Sequence, residues 1–137
     1  MNVKTYVVNV RIRYSETDKM GVVYHGNYAQ YLEIARVEWL RSLGISYKWM
    51  EESGVMLPVT ELKLKFLKPS YYDDVLSIKI TLLKRPFVRI EFDYEIHNQN
   101  KELICTANTV LAFINTASGK PIRCPSYLLE KFENLEF

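Results

Sequence analysis

The sequence predicts an α+β fold, with one long central helix held by a curled, mostly antiparallel sheet of five strands. Three observations predict it. Residues 27 to 43 place apolar side chains at three-to-four spacing, the period of a helix with one buried face. From Val55 onward the pattern changes to period two and recurs in four successive runs. A fifth alternating run precedes the helix. A helix with one broad apolar face and a sheet with one apolar face bury each other by packing together.

The first strand is expected over Thr5 to Tyr14, where Val8, Val10, Ile12 and Tyr14 alternate with Asn9, Arg11 and Arg13. Gly21 interrupts the loop that follows. The helix is expected from Asn27, a good N-cap residue, to Leu43, with Gly44 ending it. Its stripe is Tyr28, Leu32, Ala35, Trp39 and Leu43, widened by Tyr31 and Leu40. Glu33 and Arg36 stand three apart and read as an intrahelical pair. A short helix follows from Ser46 to Glu52. The later strands are expected over Val55 to Leu67, Val75 to Lys84, Val88 to His97 and Leu103 to Ile114. Pro69 to Asp74 and the polar group Asn98 to Lys101 supply turns. A short helix, Ser126 to Glu133, comes last. A strand, a long helix and then a four-strand meander is the hotdog arrangement, here one domain over residues 1–137.

Composition excludes several function classes. A net charge of +2, with lysines and glutamates interspersed, argues against nucleic acid and is compatible with an anionic small ligand. No segment approaches the ~20 apolar residues needed to span a bilayer, so no integral membrane role is expected. The N-terminal residues show no signal-peptide pattern, and a cytoplasmic protein is expected. Cys105 and Cys124 form no CxxC pair and share no ligand spacing with His25 or His97. Catalysis without metal or organic cofactor is therefore expected.

The functional information concentrates in residues 11–28, R-I-R-Y-S-E-T-D-K-M-G-V-V-Y-H-G-N-Y. Asp18 and His25 lie between a strand and the start of the helix. A carboxylate there can attack or deprotonate, while free N–H groups at the helix start hold a developing negative charge. That layout suits hydrolysis of an activated acyl group. Glu16 is the competing acid two residues earlier, and Tyr14 could hold Asp18 through its hydroxyl.

This segment resembles the signature of the 4-hydroxybenzoyl-CoA thioesterase family. It is most similar to the bacterial acyl-CoA thioesterases found with the Tol–Pal envelope system. The stretches Y-L-E-I-A-R-V-E-W-L-R and F-L-K-P-S-Y-Y-D-D-V-L fit the same family, so the resemblance runs from about Val3 to Asn115. It implies a hotdog fold that dimerises edge to edge, often as a dimer of dimers, with active sites at the dimer interface. It implies that Asp18 is the catalytic carboxylate and that His25 supplies the oxyanion amide. Read from the residues themselves, Gly26 serves a turn and lets substrate approach the backbone closely. Asn27 caps the helix first and contacts substrate second. Tyr24 and Tyr28 either line the acyl pocket or pack in the interface, packing being the default for each alone. Lys63, Lys65, Lys84 and Arg85 are candidates for the phosphates of coenzyme A. The expected activity is acyl-CoA thioester hydrolysis. An acyl carrier protein thioester, an aryl-CoA such as dihydroxynaphthoyl-CoA, or a non-catalytic acyl-binding role are the alternatives.

Overall fold

The computed structural model describes residues 3–137. Strand β1, Thr5–Arg11, leads through a 3-10 turn at Tyr14–Glu16 to helix α1, Asn27–Ser42. Helix α2, Tyr47–Glu52, precedes β2 (Val55–Met56), β3 (Val59–Phe66), β4 (Val75–Leu82), β5 (Arg89–His97), β6 (Leu103–Ala112) and β7 (Ile114–Asn115). Helix α3, Ser126–Leu129, runs into a last 3-10 turn, Glu130–Phe132. The main sheet has the order β1-β4-β5-β6-β3 with every neighbouring pair antiparallel, and β2 pairs separately with β7.

Alternation sets the two faces of this sheet. Leu76, Ile78, Ile80 and Leu82 of β4, and Ile90, Phe92, Tyr94 and Ile96 of β5, are all buried on the face toward α1. The helix returns Tyr28, Tyr31, Leu32, Ala35, Trp39 and Leu40 to them, the stripe read from spacing. Burying an aliphatic or aromatic side chain of this kind is worth roughly 1.5–3 kcal/mol each, so this interface carries the fold. Gly44 ends the helix at φ 82°, a left-handed conformation that costs a residue with Cβ far more than glycine.

The main departures from expectation are three at element ends and one in a side-chain pairing. Strand β1 stops at Arg11, because the Arg13 backbone N–H donates to the Glu16 carboxylate (2.8 Å) and caps a turn instead. The expected Val55 to Leu67 strand is two pieces separated at Leu57–Pro58, where proline has no N–H to give to a ladder. Gly26, not Asn27, is the N-cap of α1. Arg36 donates to the Tyr94 hydroxyl (3.2 Å), which is itself 2.6 Å from Thr109 Oγ1; no bond to Glu33 forms.

Among the described residues, strand β3 closes one edge of the main sheet and bonds only to β6. Val59, Leu62 and Phe66 on it are each more than two-fifths exposed. An unpaired edge carrying apolar side chains is a surface that folded proteins cover.

Candidate active site

The loop between β1 and α1 is a small hairpin. Thr17 and Val23 form an antiparallel bridge, and the Asp18 N–H donates to the Val22 carbonyl (2.9 Å). Asp18 is half-buried at its tip, and its Oδ1 accepts the Met20 N–H (2.8 Å). The second carboxylate oxygen has no protein partner among the described residues. Tyr14 does not hold Asp18. It is 76% exposed and packs edge-on against Tyr72, 5.6 Å between centroids.

The hairpin delivers the chain to the helix start. Asn27 N–H donates to the Tyr24 carbonyl and Tyr28 N–H to the His25 carbonyl, which winds the first turn. The backbone N–H groups of His25 and Gly26 find no acceptor among the described residues. Two unspent donors at the head of a sixteen-residue helix favour negative charge. Gly26 has ordinary helical dihedrals, and its need is spatial: a Cβ there would stand 2.7 Å from Cε2 of Tyr24. The Tyr24 ring lies 4.4 Å from the His25 ring. Asn27 points its amide the other way, donating to the Glu16 carbonyl (2.8 Å).

A cavity of about 340 Å³ opens between this loop and the end of β3. Asp18, His25, Tyr28, Phe66, Leu67 and Lys68 are among its lining residues. Tyr28 is fixed from behind: its hydroxyl is 2.9 Å from Oγ of the fully buried Ser70, whose carbonyl accepts the Val23 N–H. Burial and a nearby acid push the Tyr28 hydroxyl's pKa up despite that hydrogen bond, so it stays a neutral phenol. Phe66 meets Tyr28 at 5.3 Å and His25 at 6.4 Å, giving the cavity an aromatic wall. One half-buried carboxylate, two free amides and an apolar-aromatic wall can attack or hydrate a carbonyl while stabilising the oxyanion.

Asp18 and His25 therefore share one cavity, with Gly26 and Asn27 beside it. The basic residues do not gather there. Lys63 and Lys65 point to the opposite face of the sheet, into a concavity of about 590 Å³ that also has Lys79, Asp93 and Glu95 on its walls. Lys84 Nζ is 3.5 Å from a Glu91 carboxylate oxygen. Arg85 donates to the carbonyls of Phe132 (2.7 Å) and Leu135 (2.9 Å) and lies over the Phe137 ring, so its guanidinium holds the C-terminal segment. The lysine at the cavity is Lys68, paired with Glu102 at 2.7 Å. Parity could have found it, since Leu62, Leu64, Phe66 and Lys68 share one register. No group of three or more His, Cys, Asp or Glu side chains is placed to hold a metal among the described residues. Among the described residues, no helix is long and apolar enough to cross a membrane.

Comparison with known proteins bears on the family and the fold. A family model described as the thioesterase-like superfamily matches residues 12–132. A crystal structure of a DHNA-CoA thioesterase from Staphylococcus aureus is 40% identical, superposes with a TM-score of 0.84, and covers 87% of this chain and 80% of that one. A chloroplastic acyl-acyl carrier protein thioesterase from Arabidopsis thaliana is 33% identical over 91% of this chain and 66% of its own length. An acyl-CoA thioester hydrolase from Escherichia coli is 27% identical over 97% of this chain and 99% of its own.

Proposed function

This chain belongs to the thioesterase-like superfamily and is a thioester hydrolase, and we propose that it cleaves acyl-CoA with Asp18 as the acting carboxylate. The observation that carries the reading is that Asp18 and His25 line the same cavity at the foot of a helix whose first amides are unspent. A thioester carbonyl has less resonance stabilisation than an ester. Attack by Asp18 gives a mixed anhydride and releases the thiol, and water then opens the anhydride. In the other route Asp18 takes the proton of a water that attacks directly. The His25 and Gly26 N–H groups stabilise the tetrahedral oxygen in both, and losing one such donor typically costs about 10²–10³ in rate. Lys68, the lysine that lines the cavity, is the candidate for a coenzyme A phosphate.

The aromatic wall favours a second substrate class. Tyr28, Phe66 and His25 would flank a flat acyl group, and the Staphylococcus aureus relative is named for an aryl-CoA. Thiol release measured over aryl-CoA, short-chain and long-chain acyl-CoA, and acyl carrier protein thioesters separates the readings. Release from none of them would remove the proposal.

The active unit is a homodimer, or a dimer-of-dimers tetramer, joined through β3. The support is the unpaired β3 edge, with exposed Leu62 and Phe66 beside the open cavity. Light scattering at micromolar concentration should give a multiple of the 16.1 kDa chain mass, and Leu62→Glu should lower both the mass and the turnover. A fully active monomer would rule out an interfacial site.

A further inference from the structure

Glu16 is the one buried carboxylate in the loop, 7% exposed, and the hydrolytic reading leaves it without a task. Its side chain is held by three groups. Oε1 accepts the Arg13 N–H (2.8 Å) and the Tyr31 hydroxyl (3.1 Å), and Oε2 accepts the Arg13 guanidinium (3.1 Å to Nη2). Burial pushes its pKa up, and these hydrogen bonds with the Arg13 charge more than offset it, so the group is held below the usual 4.5 and ionised near neutrality. The backbone carbonyl of the same residue accepts the Tyr24 N–H (3.0 Å) and the Asn27 side-chain amide (2.8 Å). Tyr31 and Asn27 are both on α1, and Tyr31 is fully buried.

Two independent ties thus run from one residue to the helix that presents the His25 and Gly26 amides. Asp18 stands two residues further along, on a hairpin whose base is Glu16 and Tyr24. We propose that Glu16, through Tyr31 and Asn27, is a positioning residue that fixes the Asp18 carboxylate relative to the helix-start amides. This rests on the reading of Asp18 given above. Glu16 touches no substrate in this scheme. Displacing a reacting group by about 1 Å can cost on the order of 10² in rate, which is the scale at which such a tie matters.

The chemistry separates two substitutions. Glu16→Ala leaves the Arg13 N–H and the Tyr31 hydroxyl without their acceptor. Glu16→Gln can keep both, with its amide oxygen in the Oε1 place, while the exposed Arg13 guanidinium turns to water. On the best thioester from the substrate panel, Glu16→Ala should lower kcat by a factor on the order of 10 to 10² with KM nearly unchanged. Glu16→Gln should restore most of that loss. Tyr31→Phe keeps the packed ring, removes only the hydroxyl, and should lower kcat several-fold, which keeps the test open if Glu16→Ala does not fold. In an Asp18→Asn background none of these changes should lower the residual rate further, because the positioned group is gone.

Unchanged kcat in folded Glu16→Ala and in Tyr31→Phe overturns the proposal. So does the same fractional loss in the Asp18→Asn background, which would mean that Glu16 supports the fold and not the carboxylate. Near-normal turnover by Asp18→Asn alone overturns the reading of Asp18 itself, and that result is distinct from the other two.

Discussion

Asp18→Asn should lower thioester turnover by a factor on the order of 10² or more, because nucleophilic or general-base action is typically worth that much. The substitution keeps size and leaves a carbonyl oxygen to accept the Met20 N–H, so the hairpin retains its turn. Folding should be unaffected, since Asp18 is half-buried at the loop tip and makes no ion pair among the described residues. KM should change little, as the cavity wall of Tyr28 and Phe66 remains. His25→Ala provides the contrast. It removes a ring from the cavity and leaves the backbone N–H, so its loss should be much smaller than that of Asp18→Asn. Equal losses would put the ring, not the amide, in the reaction. Steady-state thiol release with both proteins decides this.

Trp39→Ala should destabilise the protein by about 3–5 kcal/mol, the range for truncating a buried tryptophan. Trp39 is 2% exposed. Its ring meets Phe92 of β5 edge-on at 5.0 Å and stacks on Phe132 at 6.0 Å, and Nε1–H donates to the Val3 carbonyl (2.8 Å). One side chain therefore joins the helix to the sheet and to both ends of the described chain. Urea denaturation should show a lower midpoint with an unchanged slope, since the surface exposed on unfolding is nearly the same. Trp49→Ala is the comparison. Trp49 is 46% exposed and touches only Tyr127 among the aromatic rings, so its loss should cost about 1 kcal/mol or less. Similar losses at the two sites would mean that the Trp39 contacts do not organise the core.

Where side-chain period decides the structure, the sequence was a good guide. The α1 stripe and the inward residues of β4 and β5 follow from spacing of 3.6 and 2, because each element has one wet and one dry face. The loop resists that reading. Continuing the β1 alternation puts Tyr14 inside. The 3-10 turn instead leaves Tyr14 in solvent and turns Glu16 inward, because the hydrogen bonds of one carboxylate outweigh the burial of one ring. The capping expected of Asn27 goes elsewhere for a similar reason. Gly26 already occupies the capping position, so the amide was free to tie the loop. Composition counts charges without assigning them to a face, so it did not separate Lys68 at the cavity from Lys63 and Lys65. Lys63 and Lys65 fall on the parity opposite to Phe66. Arg85 reads as a surface cation until carbonyls some fifty residues later in the chain fold back onto it.

The stacking of Phe132 on Trp39 also sets the order in which the molecule can be completed during synthesis. Trp39 leaves the ribosome about 90 residues before the ring that covers it, an interval of roughly 5–20 s at ordinary translation speeds. Phe92 of β5 reaches the edge of the Trp39 ring sooner, but the face on which Phe132 stacks stays uncovered to the end. An aromatic face left open over that interval is the kind of surface that chaperones shield.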